Sequence, residues 1–319
     1  MALISSSAQD VAALLQQNEI AAIPTETVYG LAGNAYCEIA LKKIFELKQR
    51  PFYNPLIVHI KSVRDLNLVA THIPEQAQLL ADAFWPGPLT LVLKKQAHIP
   101  DLVTAGKDTV AVRVPNHPVT LSLLEQLDFP LAAPSANPFG SISPTKAAHV
   151  ANYFAGSPLT ILEGGECSSG IESTIIGFEN ELASLYRMGS ITIEAIENVI
   201  GPLQIKTQSE ATPTAPGMLS KHYAPKTATI LSDNIPETLR LNATKRIGLL
   251  TFKDHFEHHA IVEQVVLSPT GNLAEAATHL YHALHELDQL QLDLIITEQF
   301  PKHNLGRTIN DRLERATKK

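Results

Sequence analysis

The chain is 319 residues long, 45% hydrophobic and 18% charged, with 25 Lys and Arg against 32 Asp and Glu, a formal net charge of −7. Such an apolar fraction can bury the cores of about two domains and disfavours a chain dominated by disorder, while the acidic balance argues against a protein held to nucleic acid by generalised phosphate contacts. Two cysteines, Cys37 and Cys167, without a C-x-x-C pair, supply neither a disulfide framework nor a cysteine zinc site, so a reducing, cytoplasmic setting is expected.

Residues 1–20 lack a basic leader and meet Asp10 before any long apolar run, which predicts a short capped helix rather than a signal peptide. No run approaches the roughly 20 apolar residues of a membrane span, so no membrane association is expected. From Ile20 onward short apolar runs alternate with helical patterns. Leu41, Ile44, Phe45 and Lys48 recur at helical spacing in 38–48, and Arg50-Pro51 ends that helix. Further strands are expected at 55–60, 89–94, 109–114, 130–135, 159–165 and 172–178. Some pairs leave no room for a crossover helix, so the sheet should be mixed.

Residues 203–226 are rich in Thr, Pro and Ser, carry no period and read as a linker between a first domain, 1–202, and a second, 227–319. The second is a smaller α/β pattern with strands at 227–232, 246–252, 260–268 and 292–300. Its best helix carries Leu273, Ala277, Leu280, Leu284 and Leu287. It suggests an open parallel sheet of Rossmann type, although no G-x-G-x-x-G follows any strand.

Chemically loaded residues cluster before the linker, at strand ends and helix starts. Pro24 to Gly30 sets three hydrogen-bonding side chains in a row after a strand, suited to a pocket floor or to a solvated turn. Lys48-Gln49-Arg50-Pro51 puts two cations before a proline-stiffened turn, which fits helix capping and a polyphosphate clamp equally. Ser143-x-x-Lys146 and Ser135-x-Asn137 imitate a serine acyl-transferase. Their order is wrong for one and no K-T-G follows, whereas Ser143 as a helix N-cap with Pro144 at the first helical position explains the same letters. The stretch 163–174 is a Gly/Ser-rich loop entering a strand, with Arg187 after the next apolar run. There is no P-loop, yet hydroxyls and the cations Lys48, Arg50, Arg113 and Arg187 could hold phosphates. His279, His282 and His285, and His255, His258 and His259, read as surface histidines rather than metal ligands.

In order, PTETVYGLAGNA, KQRPFYNPLIVHI, FWPGPLTLVL, TVAVRVPNHP, APSANPFGSISPTKAAHV, GIESTII, LYRMG, PGMLSKHYAPK and NDRLERA resemble the Sua5/YrdC family, of the longer two-domain Sua5 type. The resemblance implies a twisted mixed-sheet α/β YrdC-like domain with a concave basic cavity, a smaller Rossmann-like α/β domain, and a linker folded over the cavity as a lid. It implies synthesis of L-threonylcarbamoyladenylate from L-threonine, bicarbonate and ATP with Mg2+, for a downstream tRNA threonylcarbamoyl-transferase machinery, with at most a weak tRNA contact. It places the catalytic signature on Lys48, Arg50 and Asn137. The L-threonine contacts fall on Thr27, His59, Arg113 and Ser173. The ATP contacts fall on Arg50, Asn54, Thr109, Ala133 through its backbone, Ser135, Ser143, Arg187 and Tyr223. No metal ligand is assigned. Ala32 stands where the family pattern has glycine and Met188 where it often has proline, which bears on loop geometry. The competing class is a non-catalytic RNA-binding α/β module. The two are separated by pyrophosphate release that needs both L-threonine and bicarbonate.

Overall fold

A computed structural model describes residues 1–207, 215–216 and 222–318. The first region runs β1 (Leu3–Ser5), α1 (Ala8–Gln16), β2 (Ala21–Ile23), β3 (Gly30–Asn34), α2 (Glu38–Lys48), β4 (Ile57–His59), α3 (Glu75–Phe84), β5 (Leu89–Lys94), α4 (Asp101–Thr104), β6 (Thr109–Arg113), α5 (Pro118–Glu125), β7 (Leu131–Ala132), α6 (Ala147–Tyr153), β8 (Thr160–Leu162), β9 (Thr174–Glu179), β10 (Leu182–Arg187), α7 (Ile193–Ile200) and β11 (Gln204–Ile205). The second runs β12 (Thr229–Ser232), α8 (Ile235–Leu241), β13 (Ile247–Thr251), β14 (Ile261–Val266), α9 (Leu273–Asp288), β15 (Leu294–Glu298) and α10 (Leu305–Thr317).

The first eleven strands form one sheet in the order β1-β8-β2-β3-β7-β4-β6-β5-β9-β10-β11. It is mixed: β4–β6 and β5–β9 are parallel, while β5–β6, β3–β7 and β9–β10 are antiparallel. The four later strands form an all-parallel sheet, β12-β15-β13-β14. Both expectations of sheet type therefore hold. β11 lies inside the segment read as linker, yet it pairs with β10 and extends the first sheet.

Local chemistry explains the helices that were expected. Ser7 caps α1 through its side chain, accepting from the Asp10 N–H. α2 spans 38–48 and buries Ala40, Leu41, Ile44, Phe45 and Lys48; it stops where Gln49 turns left-handed at φ 52°. Ser143 is not an N-cap: α6 starts at Ala147 with Lys146 in the cap position, and the Ser143 hydroxyl donates to Glu172 instead. A buried carboxylate needs donors more than a helix end does, since its desolvation penalty is larger.

An apolar cluster joins the two regions. Val28, Ile142, Ile171 and Tyr223 pack with Leu280, Tyr281, Leu284, Ile309 and Leu313 of α9 and α10. At ~1.5–3 kcal/mol for each large side chain fully buried, this seam is a core rather than a loose contact. It also corrects the histidine reading. His285 is buried and its ring stacks on His149 of α6 at 3.9 Å, and His282 lies against the same ring at 5.5 Å. Helical spacing cannot show which face of α9 meets another domain.

Candidate active site

The central strands of the large sheet deliver their side chains to one cleft. His59 and Arg113 are register partners at the carboxyl ends of the parallel pair β4 and β6. Ala133, just past β7, donates its N–H to the Ile57 carbonyl at 2.9 Å, and Ser135 bridges to Gly30. Ser173 precedes β9, and Arg187 closes β10 opposite Ile175. Gly189 allows that approach, because a Cβ there would lie 2.3 Å from the Ser173–Thr174 backbone.

Thr27, Arg50, His59, Arg113, Ala133, Ser135, Ser173, Arg187 and Tyr223 all line this cleft. The convergence of Arg50 with Ser135, 85 residues apart in the chain, is what a common binding site requires. Lys48, Asn54, Thr109, Asn137 and Ser143 do not line it. The Lys48 ammonium is buried and donates to the Ser135 and Asn137 carbonyls, so it braces the turn that presents Ser135. The Asn137 side-chain amide donates to the Pro138 and Ser141 carbonyls within the same turn. The Asn54 carbonyl accepts from Arg50 Nε at 3.2 Å. Ser143 is tied to Glu172 at 2.7 Å. Thr109 begins β6, ~13 Å of strand away from Arg113.

Arg50 and Arg187 are hydrogen-bonded to neutral groups. Arg50 donates to the Asn54 and Pro55 carbonyls, the latter at 2.8 Å. Burial, with the Arg187 charge adding to it, lowers its pKa to about 9. Arg187 donates from Nε and Nη2 to the Ser173 carbonyl, from Nη2 to the Ser173 hydroxyl at 3.0 Å, and from Nη1 to the Pro216 carbonyl at 3.2 Å. Burial lowers its pKa as well. Burial drives the Lys48 ammonium well below its ordinary value, and the Arg50 charge pushes the same way. Two buried guanidiniums partnered only by carbonyls and a hydroxyl are stabilised by an incoming anion. His59 is held neutral: burial and then the Arg113 charge bring its pKa to about 3, and Nδ1–H faces the Ile57 carbonyl at 3.2 Å.

Reading of the sequence left Thr25, Glu172, Pro216 and His222 out of the site, yet all four line the cleft. Glu172 is the most consequential. Burial pushes its pKa up, but the Arg312 and Arg187 charges and hydrogen bonds from Ser143 and Arg312 outweigh that and hold it at about 2. Arg312 Nε meets its carboxylate at 2.8 Å and the Tyr281 hydroxyl donates to it at 2.9 Å, both reaching across from the second region. The one charged residue in the stretch Ile171–Ile176 was the available signal. Of the segment 203–226, residues 208–214 and 217–221 lie outside the described residues. Its described members Pro216, His222 and Tyr223 border the cleft.

Residues 13–189 match the family model described as telomere recombination, built on Sua5, YciO and YrdC proteins, and residues 191–317 match the threonylcarbamoyl-AMP synthase C-terminal domain. The chain belongs to the Sua5/YrdC family. A threonylcarbamoyl-AMP synthase of Pyrococcus abyssi is 41% identical over 96% of this chain and 92% of its own length, and one of Bacillus subtilis is 40% identical over 96% and 91%. The crystal structure of P. abyssi Sua5 complexed with L-threonine superposes with a TM-score of 0.91 at 38% identity, covering 99% of this chain and 97% of that one. Membership of the two-domain branch accounts for Arg312 and Tyr281 reaching Glu172, since both belong to the second family region.

Proposed function

We propose that this protein is an L-threonylcarbamoyladenylate synthase, a nucleotidyl-transferring enzyme that joins L-threonine, bicarbonate and ATP and releases pyrophosphate. The observation that carries the reading is the single cleft lined by Arg50, Arg113 and Arg187 together with Thr27, Ser135 and Ser173, in a chain of this family. The threonine amine attacks bicarbonate to give a carbamate and water. A carbamate oxygen then attacks the α-phosphorus of ATP, the bond to the β-phosphate bridging oxygen breaks, and pyrophosphate leaves with that electron pair. Negative charge builds on the phosphates, and fixed guanidiniums in a water-poor site are the groups that stabilise it.

Arg50 and Arg187 take the phosphates, Ser135 and the Ala133 backbone the nucleotide, and Arg113 with Thr27, His59 and Ser173 the amino acid. Lys48 and Asn137 act on the reaction by holding the Ser135 turn, and Asn54 by fixing Arg50. Ser143 orders Glu172, and Tyr223 closes the nucleotide side.

Mg2+ enters with ATP. No group of three or more metal-binding side chains exists among the described residues, and the Glu172 carboxylate is already taken by Arg312, Tyr281 and Ser143. The protein groups therefore do not form a Mg2+ cage, and no step is routed through the metal. Among the described residues no helix is long and apolar enough to cross a membrane, and the proposed setting is the cytoplasm, upstream of tRNA threonylcarbamoyl transfer.

The deciding experiment is release of pyrophosphate from ATP by the full chain, expected only when L-threonine and bicarbonate are both supplied. RNA binding with a steep salt slope and no such release would establish the binding-module reading instead.

A further inference from the structure

The guanidiniums of the cleft are partnered differently. Arg50 and Arg187 rest on carbonyls and a hydroxyl. Arg113 Nη2, by contrast, lies 2.6 Å from the carboxylate of Glu26, with only 4% and 5% of the two side chains exposed. The ring beside them, His59, is neutral, so Glu26 is the charge that balances Arg113.

The pair is close but not aligned. Both Glu26 carboxylate oxygens and Arg113 Nη2 are buried without a hydrogen-bond partner. Arg113 otherwise donates from Nη1 to Thr27 Oγ1 at 2.9 Å and from Nε to the Gly87 carbonyl at 3.2 Å. A guanidinium has five N–H donors in a rigid fork, so donors remain at the one edge that Glu26 neutralises without saturating. Buried donors and acceptors of this kind are rare unless a ligand completes them. Glu26 itself is anchored through its backbone, its carbonyl accepting from the Ser169 N–H at 2.7 Å.

We propose that Glu26 is a positioning residue that, acting through Arg113, makes this guanidinium charge-balanced, so that it takes a zwitterionic amino acid and leaves the polyphosphate to Arg50 and Arg187. An uncompensated Arg113 would be one more attractive site for phosphate, whose charge exceeds that of a carboxylate. A zwitterion, with no net charge, loses nothing at a balanced pair and gains the fixed orientation of the fork. The inference rests on the assignment of Arg113 to the amino-acid carboxylate made above.

The test is calorimetric titration of the full-length parent and of Glu26→Gln with L-threonine, with a non-hydrolysable ATP analogue and with inorganic pyrophosphate. In E26Q the Kd for L-threonine rises about tenfold, the ATP-analogue Kd stays within twofold, and pyrophosphate begins to compete with L-threonine. In turnover, KM for L-threonine rises while kcat holds within about threefold. A purely structural role would weaken both ligands together. If E26Q does not fold, Glu26→Asp, which draws the carboxylate one methylene back from Nη2, carries the same comparison. A threonine Kd within twofold of the parent, or equal losses for both ligands, overturns the role of Glu26. A parent that binds no L-threonine overturns the underlying assignment of the site.

Discussion

Arg50 and Arg187 in the cleft and Arg312 in the seam between the two domains are buried by opposite means. In the cleft, Arg50 and Arg187 have backbone carbonyls and the Ser173 hydroxyl as partners, and the pKa of each is depressed by burial. In the seam, Arg312 meets Glu172 and Asp311, donates to the Met188 carbonyl at 2.6 Å, and lies over the Tyr223 ring at 4.9 Å. Paired charge holds a structure together once it is fully hydrogen-bonded, whereas charge left on neutral partners is stored for an anionic ligand. Position in the fold, not residue type, leaves one arginine paired with acids and another on neutral partners.

That contrast is open to attack, beginning where the effect is largest. Arg312→Met leaves Glu172 buried without its main counter-charge and should lower stability by about 3–5 kcal/mol in urea unfolding. Adding Glu172→Gln should recover part of the loss; a loss under ~1 kcal/mol in the single variant would show that the seam does not depend on pairing. Arg50→Ala should do the reverse, leaving the unfolding midpoint near the parent's while pyrophosphate release falls ~10²-fold or more, because its partners are carbonyls that water can replace. Lys48→Ala should lower release by a similar factor and also move the midpoint, since its ammonium braces the Ser135–Asn137 turn.

A smaller effect should follow from pH. Burial first, and then the neighbouring His285, His282 and Lys146, lowers His149 to about 3, and burial lowers His285 to about 4, both below an ordinary 6.5. The unfolded chain therefore binds these protons more readily. Their contribution is complete above pH 6.5 and is lost as pH falls toward 4, at a slope of up to about 1.4 kcal/mol per pH unit for each proton. Glu172 sheds its contribution lower, between its ordinary 4.5 and about 2. A His149→Asn, His285→Asn variant should show a flatter stability profile between pH 6.5 and 4; an unchanged profile would locate the acid sensitivity elsewhere. The smallest change should come from Lys94→Gln at the exposed pair with Asp108, where less than ~1 kcal/mol is expected because water screens the charges.

Residues read one segment at a time were accurate where the cause was local. The apolar period of 38–48 gave α2 to the residue, and the aliphatic run 89–94 gave β5. The apparent strand 130–135 shrank to Leu131–Ala132, because the residues after it leave the sheet to line the cleft. The strand at Leu3–Ser5 passed unnoticed, since three residues form a strand here only by pairing with distant Thr160–Leu162. At the site, the cations and hydroxyls were legible as residue types with an ordered set of motifs. Which of them face the cleft was not: Lys48 and Asn137 sit in the same short motifs as Arg50 and Ser135 yet turn away to hold a loop.

By itself the sequence determined the two α/β patterns and the inventory of cations and hydroxyls, because helix and strand periods and turn residues act over a few positions. Only the tertiary structure decided that Glu26 balances Arg113, that Glu172 belongs to Arg312, and that His149 stacks on His285. Those pairings join residues 87, 140 and 136 positions apart. Electrostatic and packing contacts at that separation depend on where the sheet and the seam bring backbones together, and local pattern carries no record of it.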